Sequence, residues 1–210
     1  PVLRGAGLLA RGNAGNDDIT PRVAALERDD VCCIIYTSGT GGTPKGVMLT
    51  HGSIISNCMG AYHLLVERFG LGEEVFLSFL PLSHAYEHTA GLMFPCAIGA
   101  QIYFAESVGE LSRHFMEVRP TVVTCVPRLY EVLRERILGQ ARKTGGVKRR
   151  LFELALDLGQ RRHGASDKLG LLERLIDPLL DHLVRAKVAE RFGGRLKAFV
   201  SGGAPLNPDV

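Results

Sequence analysis

A single stretch, from Tyr36 to Val47, constrains this 210-residue chain more than any other part of its sequence. It reads Tyr-Thr-Ser-Gly-Thr-Gly-Gly-Thr-Pro-Lys-Gly-Val. The apolar run before it, Val31–Tyr36, predicts a strand that is buried on both faces, as in a parallel sheet. After it, Thr50 can cap a helix that the pattern predicts from His51 to about Arg68. The sequence therefore predicts a glycine-rich loop between a buried strand and a helix.

The residues of this loop suit a polyphosphate ligand. Glycines allow positive φ angles and a close approach of the backbone to a ligand, and successive N–H groups can then form an anion-binding concavity. Hydroxyls and one mobile positive charge add further donors. The residues predicted to bind phosphate are Thr37, Ser38, Gly39, Thr40, Gly41, Gly42, Thr43 and Lys45. The alternative interpretation is a hydroxyl-rich surface turn without a ligand.

Two familiar glycine loops do not fit the spacing. A Walker loop needs Gly-x-x-x-x-Gly-Lys-Ser/Thr, whereas here Pro44 precedes Lys45 and Gly46 follows it. The dinucleotide-binding fingerprint Gly-x-Gly-x-x-Gly does not fit the string either. The loop is therefore expected to bind phosphate in a different way from both.

A second segment, Leu80–His88, reads Leu-Pro-Leu-Ser-His-Ala-Tyr-Glu-His. Its last five residues fit His-x-x-Glu-His, a zinc-peptidase pattern with two histidines one helical turn apart. Pro81 and Ser83 instead predict that His84 lies at the start of a helix. A capping Ser83 with exposed histidines is the plainer interpretation, and both stay open at this point.

A third segment, Ser201–Leu206, reads Ser-Gly-Gly-Ala-Pro-Leu and follows a predicted strand, Leu196–Val200. Small residues at the end of a strand allow a flat aromatic ring to approach the backbone. An ordinary strand-to-helix turn, with Pro205 opening the next helix, fits the same residues without a ligand.

Together and in this order, the three segments resemble the motifs of the adenylate-forming enzymes. This superfamily comprises the acyl-CoA synthetases, the adenylation domains of peptide synthetases, and the luciferases. The resemblance covers the chain from about Asp30 onward, and the subgroup that the chain looks most like is the long-chain fatty acid–CoA ligases. The chain departs from the pattern at Gly41, where the family usually has threonine, so the loop keeps a backbone donor but loses a hydroxyl.

The resemblance implies ATP-dependent activation of a long-chain fatty acid, first to an acyl-adenylate and then, with coenzyme A, to the acyl-CoA. It implies that Lys45 and His84 are the catalytic residues. Lys45 would bind the β- and γ-phosphates of ATP, and His84 would border the acyl group. Thr37 would lie near Mg²⁺. The residues that would border adenine are Gly203, Ala204 and Pro205.

Several parts that the family needs would lie beyond Val210, among them the acidic Mg²⁺ ligand and the domain that carries a catalytic lysine. The chain starts at Pro1 rather than Met and stops shortly after the third segment, so both ends are expected to be cut from a longer protein. Because of the missing parts, the 210 residues alone are expected to be inactive. Three other functions stay open. They are an adenylate-forming ligase for a shorter or an aryl acid, a non-catalytic nucleotide-binding module, and a zinc hydrolase that uses His84, Glu87 and His88.

The whole pattern predicts an α/β fold with a mostly parallel sheet flanked by helices, because apolar runs alternate with helical stretches. By the resemblance, this is part of the large N-terminal domain of the adenylate-forming fold. Residues 1–30 are predicted to be irregular, and residues 31–210 to form part of the AMP-binding domain. Predicted strands are Val31–Tyr36, Val75–Leu80, Gln101–Phe104, Thr121–Val126 and Leu196–Val200. Predicted helices are His51–Arg68, Tyr86–Ile98, Gly109–Val118, Arg128–Leu138 and Leu171–Phe192, the last kinked or divided at Pro178.

Composition excludes some partners. A net charge of +3 is too small to indicate a nucleic-acid partner, and no apolar run approaches the roughly 18 residues of a membrane span. The five cysteines are odd in number and lie mostly in apolar runs, which favours free thiols in a reducing compartment such as the cytoplasm.

Residues 134–162 form a basic region, with nine Lys or Arg against three acidic residues. A solvated helical hairpin is one interpretation of this region. The other is a surface for peripheral contact with an anionic membrane, to which each basic residue would contribute about 1 kcal/mol. The oligomeric state is left open.

Overall fold

The computed structural model describes residues 18–38, 43–163 and 170–206. The chain divides into two compact units, Pro1–Ile55 and Ser56–Val210. The predicted boundary at residue 30 differs from this division and stays a prediction. A short helix, α1 (Thr20–Ala24), lies within the segment that was expected to be irregular.

The first unit contains an antiparallel pair of strands, β1 (Val31–Thr37) and β2 (Lys45–Thr50). The prediction of a parallel strand buried on both faces is therefore wrong for Val31–Tyr36. Ile34 and Tyr36 are 52% and 70% exposed, and Ile35 is buried. An apolar run has the same appearance in both kinds of sheet. Lys45–Val47, which was expected to belong to the loop, lies in the partner strand β2.

Helix α2 (His51–Phe69) follows β2 directly. Its predicted cap is confirmed, because the Thr50 hydroxyl accepts a hydrogen bond from the backbone N–H of Ser53 at 3.2 Å. The helix buries Ile54, Cys58 and Leu65 along one face, at the spacing that an α-helix requires.

The second unit is built on a four-stranded sheet in the order β4-β3-β5-β6, with all neighbours parallel. The predicted α/β class is thus confirmed. Each strand is a short apolar run bounded by turn residues, as predicted, although most are shorter than expected. The strands are β3 (Val75–Ser78), β4 (Gln101–Phe104), β5 (Val122–Cys125) and β6 (Ala198–Ser201).

The helices of this unit match the predicted stretches, with different ends and internal irregularities. Helix α3 (Ala85–Glu87) continues as a π-helical segment (His88–Met93) and then as α4 (Phe94–Ala97). After a 3₁₀ turn (Val108–Glu110) come α5 (Leu111–Val118), α6 (Pro127–Thr144), α7 (Gly146–His163) and α8 (Leu171–Leu180). The last helix passes through Pro178, continues as a second π-helical segment (Asp181–Arg185), and ends as α9 (Ala186–Glu190).

The two faces of the sheet pack on different helices. Leu77 and Val123 face α5, where they form a buried cluster with Leu111 and Phe115. On the opposite face, Phe76 packs edge-on against Phe94 of α4, with ring centroids 6.0 Å apart. Neighbouring residues of a strand point to opposite faces, so one strand supplies both layers of the core.

Among the helices of the described residues, none has both the length and the apolar character that crossing a membrane requires.

Candidate functional site

The glycine-rich stretch is the turn of the β1–β2 hairpin. Thr37 and Lys45 are paired across the two strands at the base of this turn. The Thr37 hydroxyl donates to the carbonyl oxygen of Lys45 at 3.5 Å. Ser38 and Thr43 continue from the strand ends and are exposed. A hydroxyl and an ammonium group therefore flank the same turn, which is what the polyphosphate hypothesis needs from these residues.

Four predicted phosphate-binding residues, Gly39, Thr40, Gly41 and Gly42, lie outside the described residues. Their proposed backbone donors stay a prediction. The predicted Mg²⁺ position at Thr37 also stays a prediction.

His84 begins helix α3 and is its N-cap. Its Nδ1 atom accepts a hydrogen bond from the backbone N–H of Tyr86 at 3.2 Å. The expectation that Ser83 caps this helix is therefore wrong, because the histidine ring supplies the acceptor itself. A neutral imidazole with Nδ1 as acceptor carries its proton on Nε2. His84 can thus donate one hydrogen bond to a carboxylate.

Tyr86 joins this helix to the end of β6. Its hydroxyl donates to the carbonyl oxygen of Val200 at 2.7 Å, and burial raises the pKa of the phenol. A Cβ atom at Gly202 would lie 2.1 Å from Cε2 of the Tyr86 ring. The small residue after β6 therefore does admit an aromatic ring, and at Gly202 that ring belongs to the protein.

The residues predicted to border adenine come directly after Gly202 in the chain. Gly203 has a φ of +82°, a left-handed conformation that glycine adopts without strain. A Cβ atom there would lie 3.7 Å from Cε1 of His84. Gly203, Ala204 and Pro205 are all exposed. The structure thus brings His84 and Gly203 together at the carboxyl ends of parallel strands, where α/β proteins bind their ligands.

Glu87 is fully buried beneath this surface. Its Oε1 atom accepts a hydrogen bond from the Ser78 hydroxyl at 2.6 Å, and its Oε2 atom accepts one from the Thr124 hydroxyl at 2.8 Å. These two residues lie at the carboxyl ends of β3 and β5. The carboxyl group therefore ties both strand ends to the helix that His84 begins.

The room for this carboxyl group comes from Gly91, in the first π-helical segment. A Cβ atom at Gly91 would lie 2.2 Å from Oε1 of Glu87. Burial raises the pKa of Glu87, and the hydrogen bonds from the two hydroxyls and the nearby His84 oppose that shift only in part.

Cys125, at the end of β5, is fully buried in the same region. Burial raises the pKa of its thiol to about 11. A thiol of this kind is protonated at neutral pH and is a poor nucleophile.

The zinc-hydrolase alternative has no support in this geometry. Both oxygens of Glu87 are engaged by hydroxyls. In residues 18–38, 43–163 and 170–206, no group of three His, Cys, Asp or Glu side chains is arranged to hold a metal ion.

The sequence analysis did not identify Ser78, Thr124 and Gly91, and it considered Glu87 within the zinc-hydrolase alternative. The available signal was weak. Ser78 and Thr124 are polar residues near the ends of apolar strands, a position that favours a polar partner inside the core. Nothing local in the sequence identifies Glu87 as that partner.

A parallel α/β sheet with a histidine at the carboxyl ends of its strands has the arrangement of a ligand-binding α/β domain. The family model for AMP-binding enzymes matches residues 4–210. The chain belongs to this family. The resemblance to adenylate-forming enzymes, and among them to long-chain acyl-CoA synthetases, is confirmed by the comparison with curated proteins.

Two such relatives illustrate the similarity. The chain is 36% identical over 204 residues to the peroxisomal long chain acyl-CoA synthetase 7 of Arabidopsis thaliana, covering 97% of this chain and 27% of that protein. It is 34% identical over 184 residues to long-chain-fatty-acid–CoA ligase 1 of Homo sapiens, covering 87% of this chain and 25% of that protein. The chain therefore spans about a quarter of the length of these relatives.

Solved structures support the fold. The adenylation domain of a carboxylate reductase from Mycobacterium chelonae matches with a TM-score of 0.51 at 25% identity, over 87% of this chain and 24% of that one. The ATP-bound structure of MatB from Rhodopseudomonas palustris matches with a TM-score of 0.50 at 21% identity, over 93% of this chain and 30% of that one.

Proposed function

We propose that these residues bind ATP and a long-chain fatty acid in an AMP-forming acid–thiol ligase. In this reaction the fatty carboxylate attacks the α-phosphate of ATP and pyrophosphate leaves. The thiol of coenzyme A then displaces AMP from the acyl-adenylate to give the thioester. The observation that carries the proposal is the pairing of Thr37 with Lys45 at the base of the hairpin turn. The relatedness to long-chain acyl-CoA synthetases supports the choice of acid.

The role of Lys45 follows from charge. Negative charge accumulates on the β- and γ-phosphates as pyrophosphate departs, and preorganised donors stabilise that charge. Lys45 supplies an ammonium group, and Thr37, Ser38 and Thr43 supply hydroxyls on the same turn. Thr37 also fits Mg²⁺, which takes few protein oxygens alongside phosphate and water, and the ion would there neutralise phosphate charge.

The role of His84 follows from its tautomer. Because Nδ1 already accepts the Tyr86 N–H, the Nε2 proton is free to be donated to the fatty carboxylate and to orient it. The exposed Gly203 beside it, with Ala204 and Pro205, would border the adenine. Tyr86 and Glu87 hold this surface in place from below.

The proposal predicts that Lys45→Ala strongly impairs nucleotide use. In the protein that contains this chain, palmitate-dependent ATP–pyrophosphate exchange should fall by a factor of about 100 or more, the effect of losing one preorganised donor to developing charge. Lys143→Ala, which removes an exposed lysine of α6, is the matched control and should change exchange less than about twofold. Exchange that is unchanged by Lys45→Ala would reject the assignment.

Binding separates this proposal from a non-catalytic nucleotide-binding module. Calorimetric titration of the 210 residues with ATP should give a saturable signal that Lys45→Ala weakens. We expect these residues alone not to catalyse the full reaction. ATP binding without acyl-adenylate formation in the containing protein would favour the non-catalytic module.

A further inference from the structure

Strand β1 carries two adjacent cysteines, Cys32 and Cys33, which the proposed function does not use. In a regular strand, neighbouring side chains point to opposite faces. The pairing of β1 with β2 is not regular at this point, because Val31 pairs with Thr50 and Cys33 already pairs with Leu49. Cys32 is thus one residue more than β2 provides. The strand therefore has a β-bulge at Cys32.

This bulge brings the two thiols together. In a β-bulge, two consecutive residues lie opposite one residue of the partner strand, so their side chains no longer alternate strictly. The Cys32 and Cys33 side chains accordingly interact with each other directly. Both residues are in the thiol form and half-buried, whereas Cys58 and Cys125 are buried. The pair is therefore a dithiol that a small reagent can reach.

A direct disulfide bond does not suit this pair. The Cα atoms of a disulfide usually lie about 4.4–6.8 Å apart, whereas consecutive Cα atoms across a trans peptide bond lie about 3.8 Å apart. One atom inserted between the two sulfurs enlarges the ring and relieves this conflict. The geometry therefore favours chelation of a thiophilic atom over oxidation of the pair.

The kind of atom follows from the number of ligands and from protonation. Structural zinc sites have four ligands, and no group of three His, Cys, Asp or Glu side chains within residues 18–38, 43–163 and 170–206 is arranged to hold a metal ion. Burial and the neighbouring Cys32 raise the pKa of the Cys33 thiol, so a metal ion would also have to displace a bound proton. A monosubstituted arsenoxide, R–As=O, needs only two sulfurs and removes both thiol protons as water.

We propose that Cys32 and Cys33, held together by the bulge, form a chelating site for thiophilic trivalent arsenic compounds. Two S–H bonds and the As=O bond break, two As–S bonds form, and one water molecule leaves. Arsenic stays trivalent, so the step needs no oxidant or reductant. The site requires neither nucleotide nor fatty acid. It can therefore fail while the proposed function holds, and the reverse is also possible.

The first test measures the binding of phenylarsine oxide to the reduced protein by native mass spectrometry. Wild-type protein should take up one equivalent with the loss of one water molecule. The adduct should survive an excess of glutathione, a monothiol, and should be removed by dimercaptopropanol, a competing dithiol. An adduct that glutathione removes would indicate attachment through a single thiol and would overturn the proposal, as would wild-type protein that forms no adduct.

Single substitutions show which thiols take part. Cys32→Ser and Cys33→Ser should each lower the affinity for phenylarsine oxide by about 100-fold or more, because the second bond of a chelate forms at a high effective concentration. Cys96→Ser, which removes the exposed cysteine of α4, is the matched control and should leave the affinity unchanged. Wild-type affinity in Cys32→Ser, or a lost adduct in Cys96→Ser, would contradict the assignment.

The last test keeps two adjacent cysteines but moves them out of the bulge. Cys32→Ser combined with Ile34→Cys places the thiols at positions 33 and 34, in the regular part of β1, where neighbouring side chains point to opposite faces. Ile34 is 52% exposed, so the fold should tolerate the change, and thermal unfolding checks this. The affinity should fall as far as in Cys32→Ser. Wild-type affinity in this variant would show that adjacency in the sequence is sufficient, and would overturn the proposal.

Discussion

Two buried glutamates lie at opposite ends of the same parallel strands. Glu74, just before β3, accepts hydrogen bonds from Lys197 Nζ at 2.5 Å and from the Thr121 hydroxyl at 2.5 Å. The N–H of Gly72 adds a third at 2.9 Å. Glu87, at the carboxyl ends of the strands, has two hydroxyl partners and no ion pair with Lys or Arg in the described residues.

The two environments shift the pKa values of the two glutamates in opposite directions. Burial alone would raise the pKa of Glu74, but its bonds from Lys197, Thr121 and the Gly72 N–H outweigh burial and lower it. At Glu87, burial outweighs the two hydroxyls and raises the pKa. Folding therefore favours the ionised form of Glu74 and the neutral form of Glu87.

This difference separates the amino ends of the strands from the carboxyl ends, where the candidate site lies. At the amino ends, a charge pair joins the segments that enter β3, β5 and β6. At the carboxyl ends, the buried carboxyl group of Glu87 has no Lys or Arg partner among the described residues, and it lies on the helix that His84 begins. Within the described residues, the buried carboxyl group beside the candidate site is thus held by hydroxyls, whereas the one at the amino ends is neutralised by a lysine.

The largest effect is expected from removing the charge at the amino ends. Glu74→Gln should lower the free energy of unfolding by about 2–4 kcal/mol, because Lys197 loses its charged partner. The loss should be fully present at neutral pH and should shrink as pH falls through the folded pKa, which lies below 4.5. Urea unfolding at several pH values measures it. Glu73→Gln, at the exposed neighbour, is the control, and an equal loss there would refute the account.

An intermediate effect is expected from crowding the carboxyl end. Gly91→Ala should destabilise the fold by about 1–3 kcal/mol, because its Cβ displaces the Glu87 carboxyl group. Combined with Glu87→Ala, the cost should be clearly less than additive. Gly60→Ala, in α2, has nothing within 4 Å of the added Cβ and should be neutral or stabilising. Additive costs would show that Gly91 matters for another reason.

The smallest effect on stability is expected from Glu87→Gln. Since folding raises the pKa of Glu87, its contribution is complete below about pH 4.5 and is lost as pH rises through the folded pKa. Glutamine does not titrate, so its contribution to stability does not change with pH. At neutral pH the variant should change the free energy of unfolding by less than about 1 kcal/mol. Its stability relative to wild type should improve as pH rises. A relative loss on raising pH would contradict a raised pKa for Glu87. Glu67→Gln, at an exposed residue of α2, serves as the control.

The sequence allowed the sheet to be predicted because its strands are short apolar runs bounded by turn residues. The local pattern alone was enough to predict a strand at Val75–Ser78 and another at Gln101–Phe104. The direction of β1 was mispredicted, because an apolar run does not reveal which strand pairs with it. The partners of Glu87 lie 9 and 37 residues away, so only the folded chain brings them together. The roles of the phosphate-loop residues stay predictions.

The π-helical segment at His88–Met93 has a consequence for comparing family members. Its wider turns accommodate one residue more than an α-helix would over the same path, and Gly91 in this segment gives Glu87 its room. Phe94, directly after it, still reaches Phe76 across the core. A homologue that is one residue shorter here can keep that aromatic contact through regular α-helical turns. Alignments across this helix should therefore permit a gap of one position, because a forced ungapped match would pair residues that point in different directions.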